Sequence, residues 1–262
     1  MSETSEFDPA VAARYPSLLG VPVFVTGGAT GIGADIVRAF AAQGAKVGFV
    51  DVDVAGAQAL TRSLAGAVTP PLFTRGDVTS VDELRAAVAA TRAAFGDIGV
   101  LVNNVANDQR HDFASMDVAQ FDATVAVNLR PAFFAAQAVV PDMKRRGRGA
   151  IVNIGSASWL MKSADLTAYA TCKSAMSGLT RMLANELGRD RIRVNQVIPG
   201  WVMTDKQRRL WVDAEGEQAM DRNQLLPGRL QGPDIASMVL FLAADDSRMI
   251  TAQGMIVDAG WV

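Results

Sequence analysis

Short, largely apolar runs recur along this chain: VPVFV at 21–25, KVGFV at 46–50, VLVN at 100–103, AIVNI at 150–154, RVNQVI at 193–198 and MIVD at 255–258. A strand with one wet face alternates apolar and polar residues, whereas an unbroken apolar run has both faces covered, as in a parallel sheet. Helical stretches lie between these runs. Ile36, Val37 and Phe40 repeat at helical spacing within 34–43, and Leu84, Val88 and Phe95 share one side of 81–95. Ser80 with Glu83 three residues on reads as a capping box. This alternation predicts right-handed βαβ units and an α/β, doubly wound sheet with helices on both faces.

A chain of 262 residues with this pattern fits one domain. Half of its residues are hydrophobic and only 6% aromatic, so the core is expected to be aliphatic. Residues 1–14 are expected to form a mobile N-terminal arm and 15–262 the domain. The polar, weakly periodic stretch 204–230 is expected to be a flap near the strand ends, where such sheets bind ligands, or an ordinary surface helix pair. A net charge of −2 disfavours nucleic acid as a partner. The acidic start lacks the pattern of a signal peptide, and no apolar run is long enough to span a membrane, so a cytoplasmic protein is expected. Cys172, the single cysteine, excludes an intrachain disulfide and reads as a small buried filler. One histidine and one cysteine, far apart, make no metal site.

The first strand runs into TGGATGIG, residues 26–33. Gly27 permits a tight turn, Gly31 lets a pyrophosphate approach the backbone, and Gly33 lets the helix pack on the strand. Thr30 and Ile32 complete the cradle at a helix N-terminus that offers N–H groups to phosphates. The spacing is G-x-x-x-G-x-G rather than G-x-G-x-x-G. Asp51, at the end of the second strand, is placed to accept hydrogen bonds from adenosine ribose hydroxyls and to repel a 2′-phosphate. No Lys or Arg lies within 26–33 or beside Asp51, so NAD is expected over NADP. Asp53 is the rival for this role.

Tyr169 and Lys173 stand at i and i+4 in YATCK and share a helix face. An ammonium near a phenol lowers the phenol pKa, so Tyr169 is expected to take a proton from a substrate hydroxyl as hydride leaves the carbon. Ser156, just after the strand AIVNI, is placed to hydrogen-bond the substrate oxygen.

Taken together, TGGATGIG, Asp51, GDV at 76–78, Asn103-Asn104, Asn128, Ser156, YATCK and PGWVMT at 199–204 resemble the short-chain dehydrogenase/reductase family over residues 18–262. The resemblance implies a Rossmann-type sheet of about seven parallel strands and oxidation of an alcohol or reduction of a carbonyl. It implies a catalytic tetrad of Asn128, Ser156, Tyr169 and Lys173, with Lys173 also on the nicotinamide ribose and Asn128 helping a water reach it. Asp77 and Val78 would hold the adenine, Asn103 would lie along the cofactor, and Pro199, Val202 and Thr204 would hold the nicotinamide. The family usually has Asn-Asn-Ala-Gly after the fourth strand, whereas Asn103-Asn104-Val105-Ala106 stands here, which leaves that loop's path open.

NVANDQRHD at 104–112, GSASW at 155–159, the segment Gln207 to Gly216 and the final DAGWV resemble a narrower group, the aldose 1-dehydrogenases that form sugar lactones. Asn107, Asp108, Gln109 and His111 would then meet sugar hydroxyls, with Trp159 covering a sugar face alongside Ser156 and Tyr169. Asp108, Gln109 and Arg110 read equally as a solvated loop, His111 as a structural residue, and Trp159 as packing under the flap. Trp201, Met161 and Lys162 depart from that group's pattern, which leaves the particular sugar open. The expected partner is a small polyhydroxylated substrate. The alternatives are a secondary alcohol on a sugar acid, polyol or hydroxyacyl compound, and outside enzymes a redox-sensing NAD-binding module. The resemblance further implies a homotetramer built through the long helices and the last strand, with Ala170, Ala175 and Gly178 allowing close approach.

Overall fold

The computed structural model describes residues 12–262. Seven parallel strands form one sheet: β1 (Pro22–Thr26), β2 (Lys46–Asp51), β3 (Leu72–Arg75), β4 (Val100–Asn103), β5 (Gly149–Ile154), β6 (Ile192–Pro199) and β7 (Gly254–Val257), in the order β3-β2-β1-β4-β5-β6-β7. The helices are α1 (Gly31–Ala42), α2 (Val54–Ser63), α3 (Val81–Phe95), α4 (Val118–Asn128), α5 (Arg130–Arg145), α6 (Thr167–Leu187), α7 (Asp205–Leu210), α8 (Ala214–Asn223) and α9 (Gly232–Ala243).

Alternate residues of each central strand enter different cores, which is why these strands carry no polar face. Val23 and Val25 of β1 and Val100 and Val102 of β4 pack into one core with α1 and α9. Phe24 and Leu101 point the other way, into a core with α3 and α5. The strand order reverses between β1 and β4, and the crevice outside their carboxyl ends is where such a sheet takes a ligand.

The expected strands are all present. β3 is the addition: its residues are half-buried or exposed at the sheet edge, so LFTR lacks the apolar signature of a covered strand. α1 begins at Gly31, three residues before the expected start, because Thr30 is extended and Gly31 opens the helix. α3 runs over 81–95 as expected, and Ser80 Oγ accepts from the Glu83 N–H. The capping box is one-sided, however. The Glu83 carboxylate accepts from the Asp77 N–H at 2.9 Å instead of returning to Ser80.

Of the expected arm, residues 1–11 lie outside the described residues, but Ala13 to Tyr15 are docked. The Gln43 amide donates to the Ala13 carbonyl and accepts from the Tyr15 N–H, both at 2.8 Å. Among the described residues, 118–145 is the one stretch long and apolar enough by composition to cross a membrane. It is two helices, broken at Leu129 (φ −130°, ψ −52°), with Asn128 buried at the break.

Between β4 and β5 a polar relay runs through the sheet. Asn103 Nδ2 donates to Asn153 Oδ1 at 2.8 Å, and Asn153 Nδ2 donates to Thr180 Oγ1 of α6 at 2.9 Å, with all three side chains buried. Asn153→Ala leaves two buried groups short of a partner, at about 1–3 kcal/mol each. The unfolding free energy is expected to fall by that amount, read as a lower urea midpoint at an unchanged m-value, and an unchanged midpoint would show the relay to be dispensable.

Candidate active site

A cleft of about 1450 Å³ opens over the carboxyl ends of the central strands. Its first wall is the turn after β1. Gly27 and Gly31 have φ of +68° and +55°, conformations that side chains oppose. A Cβ on Gly33 would sit 1.8 Å from the Gly27 carbonyl oxygen, so glycine is the one residue that lets α1 come this close. Asn104 locks the turn from β4, its Nδ2 donating to the Thr26 and Gly27 carbonyls at 3.1 and 2.7 Å. Thr30, Ile32 and Thr204 line the same region. Ala106 is not among the residues with positive φ, so the loop has no need of the glycine usual there.

Asp51 lies beside this turn. Its carboxylate accepts from the Ala29 N–H at 2.9 Å and the Asp53 N–H at 3.0 Å, which leaves lone pairs toward the cleft. The rival Asp53 is instead the cap of α2, accepting from the Gly56 N–H. Arg38 also lines the cleft, paired with Asp35 at 2.9 Å. A glycine turn that Cβ atoms would block, a helix N-terminus behind it and an acid beside it fit a nicotinamide dinucleotide, with Pro199 and Val202 lining the same cleft and Thr204 against Gly31.

Three residues expected along the cofactor are not brought to the cleft wall. Asn103 is committed to the sheet relay, and its neighbour Asn104 faces the turn instead. The Asp77 carboxylate turns back to accept from the N–H and hydroxyl of Thr79. Val78 is packed into the core with Leu84 and Val50.

Ser156, Tyr169 and Lys173 line the floor together. The Ser156 hydroxyl lies near enough to the Tyr169 phenol to favour its deprotonated form. Lys173 is fully buried, its Nζ donates to the Ile154 carbonyl at 3.0 Å, and it lies 5.8 Å from the Tyr169 ring centre. The electrostatics differ from the sequence expectation. Burial pushes the Tyr169 phenol well above its usual range; the nearby Ser156 hydroxyl opposes this and the Asp108 charge adds to it. Burial likewise pulls the Lys173 ammonium down to about 8, against the opposing influence of Cys172 and Asp108. Asn128 contacts neither residue by hydrogen bond. Its amide accepts from the Asn107 N–H at 2.9 Å and donates to the Asn107 carbonyl at 3.0 Å, so it fixes the loop after β4.

That loop and the segment 204–230 meet at the cleft. The Asp108 carboxylate accepts from Lys206 Nζ and Gln207 Nε2 of α7. Burial pushes Asp108 up, but Lys206 and Gln207 hold it below the usual carboxylate range. Gln207 Oε1 accepts from Trp201 Nε1 at 2.9 Å, and Trp201 pairs with Trp261 at 6.5 Å between ring centres. The Arg110 guanidinium lies 4.5 Å from the Trp211 ring centre.

The expected substrate residues therefore divide. Ser156 and Tyr169 line the cleft, whereas Asn107 is exposed outside its wall, its side chain accepting from the Gln109 N–H. Trp159 is 37% exposed on a short turn away from the lining, and Trp201 and Trp261 supply the aromatic wall. The signal for Trp201 was its departure from the aldose-group pattern, and for Trp261 its place in DAGWV. Ser158 also lines the cleft, and its signal was its place in GSASW. His111 is tied by its N–H to the Asp165 carbonyl. Among the described residues no group of three His, Cys, Asp or Glu side chains is arranged to hold a metal.

This sheet, glycine turn and Ser–Tyr–Lys floor define a dinucleotide-dependent oxidoreductase. A profile of the family described as enoyl-(acyl carrier protein) reductase matches residues 27–262, and the chain belongs to that family of short-chain dehydrogenases/reductases. It is 45% identical over 250 residues to the D-xylose 1-dehydrogenase of Caulobacter vibrioides, covering 95% of this chain and 99% of that one. It is 42% identical to the "probable galactose dehydrogenase" of Rhizobium meliloti, covering 95% and 98%. The blue fluorescent protein from a metagenomic library, solved with NADPH, superposes with a TM-score of 0.86 at 35% identity, covering 94% and 99%.

Gly33→Ala tests the cradle. With no room beside the Gly27 carbonyl, the variant is expected to lose NADH binding in a fluorescence titration and to melt at a lower temperature. Undiminished binding would show that the turn does not hold the cofactor.

Proposed function

We propose that this protein oxidises the C1 hydroxyl of an aldose to the lactone, with NAD as the hydride acceptor. The observation that carries this reading is the meeting of Ser156, Tyr169 and buried Lys173 in one cleft, whose lining also includes Asp108, Trp201 and Trp261. A sugar ring needs such a combination of polar groups for its hydroxyls and a flat apolar surface for its C–H face. The named activities of the two relatives above agree with it.

In this reading the substrate hydroxyl sits between Ser156 Oγ and Tyr169 Oη. Ser156 donates to the reacting oxygen, and deprotonated Tyr169 takes the hydroxyl proton as the C–H electron pair leaves. The nicotinamide, when bound, accepts that pair as hydride. Lys173 supplies positive charge beneath Tyr169 when protonated, and Asn128 keeps the neighbouring loop in register. Asp51 favours NAD because its charge opposes a 2′-phosphate; Arg38 is the residue that would serve NADP, so the two cofactors are to be compared directly. Adenine contacts at Asp77 and Val78 would require these side chains to turn toward the cleft.

A cytoplasmic homotetramer completes the proposal. Phe121 and Phe133 on α4 and α5, Met182 on α6 and Ile256 on the edge strand β7 are exposed apolar groups on elements that would pair, and a Cβ at Gly178 would meet nothing.

Tyr169→Phe deletes only the hydroxyl and is expected to lower kcat about 10²–10⁴-fold with NADH affinity unchanged; a variant with the parent's rate would remove Tyr169 from the mechanism. The pH profile carries its own expectation. The base must be deprotonated and its pKa is raised, so aldose oxidation should climb with pH into the alkaline range. Asp108→Asn removes a charge that raises it, which should move the climb to lower pH. A climb unmoved or moved upward would deny that coupling. For the cofactor, kcat/KM with NAD should exceed that with NADP and the preference should shrink in Asp51→Ala; equal values in the parent protein would overturn the NAD assignment.

A further inference from the structure

Ser158 is a buried hydroxyl without a purpose in the folded chain. It is 7% exposed, its Oγ has no hydrogen-bond partner, and the residue lines the cleft two positions after Ser156. Its main chain, by contrast, is fixed at both ends. The Ser158 N–H donates to Ser156 Oγ at 3.2 Å, and the Ser158 carbonyl accepts from the Ser163 N–H at 3.0 Å. Buried polar groups are nearly always paired, because an orphan forfeits its hydrogen bonds to water and gains none in return. An alanine would fill this position without that loss.

We propose that Ser158 is a specificity-determining residue whose hydroxyl pairs with the substrate hydroxyl next to the reacting carbon, the 2-hydroxyl of an aldose. The inference rests on the C1 oxidation proposed above. The reacting oxygen belongs between Ser156 and Tyr169. The Ser158 amide is tethered to that Ser156 hydroxyl, so a substrate oxygen that Ser158 reaches is a neighbour of the reacting one on the sugar rather than one across the ring. A hydroxyl both donates and accepts, so it suits a sugar hydroxyl in either orientation. A substrate without this group would leave Ser158 as unpaired in the complex as it is in the free protein, and sites built to pair with a hydroxyl reject analogues that lack it.

The test compares the parent protein with Ser158→Ala on D-galactose, 2-deoxy-D-galactose and D-fucose at saturating NAD, together with melting of the ligand-free proteins. The parent is expected to favour galactose over its 2-deoxy analogue by roughly 10–100-fold in kcat/KM. Ser158→Ala should bring the two within about threefold, through a higher KM for galactose, with the galactose to fucose ratio and NADH affinity unchanged. Removing an orphan should leave the melting temperature equal or higher. Several outcomes overturn the proposal: a parent indifferent to the 2-hydroxyl, a variant that keeps the full discrimination, an equal loss on both sugars, or a variant that melts several degrees lower because the hydroxyl has a partner within the protein. A parent inactive on these sugars and on D-xylose overturns the C1 reading and this inference with it. Activity on aldoses with unchanged discrimination overturns the Ser158 assignment alone.

Discussion

The close approach of α1 to the end of β1 is the contact on which the rest of the site depends. A hydrogen atom in place of a side chain at Gly33 lets the helix start sit against the Gly27 carbonyl. The same carbonyl accepts from Asn104, so the first residue after β4 is bound to the first turn after β1. The two strands flank the point where the sheet order reverses, and the clamp holds its rim at a set width. Everything beyond follows in sequence. The chain leaving Asn104 passes Asn107, whose backbone Asn128 grips at both polar atoms, and so delivers Asp108 to the cleft. One steric allowance thereby shapes one wall of the cleft and brings a carboxylate near Tyr169.

Tyr169 and Lys173 are held in a state that favours their neutral forms. Burial raises the phenol of Tyr169 and depresses the ammonium of Lys173 to about 8. Lys173 therefore binds fewer protons folded than unfolded between about pH 8 and its ordinary value. Its contribution to stability accordingly rises as pH increases through that window and is unfavourable below it. The chain tolerates a buried ammonium that burdens the fold at neutral pH, with one donated bond to Ile154 as partial compensation. Such a group is retained where its charge is used, as expected beneath a phenol that must surrender its proton.

How much of this was legible in the sequence depends on how locally each feature is determined. The central strands were, because coverage on both faces forces an apolar run; β3, at an edge, escaped because half-exposed positions accept Thr74 and Arg75. The glycine turn and Ser156, Tyr169 and Lys173 were legible because each stands at a fixed offset from a strand end or along one helix. Asn103 and Asn104 show the limit. Neighbouring strand residues point to opposite faces, and the sequence does not say which one meets the turn. Asp51 and Asp53 divided in the same manner once the cap of α2 was visible. Glu83 chose the Asp77 backbone over Ser80 because β3 brings that loop within reach, a tertiary fact with no local trace. Trp159 was misplaced for a related reason: proximity in sequence to Ser156 does not put a large ring on the same side of a short turn.

The segment 204–230 explains its own weak periodicity. α7 contains no buried residue, so no apolar stripe was needed to fold it. It is held across the cleft by polar and aromatic contacts: Lys206 and Gln207 to Asp108, Gln207 to Trp201, and Trp211 to Arg110. Further along, Glu217 and Asp221 of α8 are paired with Arg229. Contacts of this kind are worth less each than core burial and are partly solvated. The same contacts give the cleft its chemistry. Gln207 spends its amide nitrogen on Asp108 and its oxygen on Trp201, so one side chain orients both the carboxylate and the aromatic wall. The element with the least hydrophobic signal in the sequence thus places two groups expected to read the substrate, and its polarity serves the fold and the site alike.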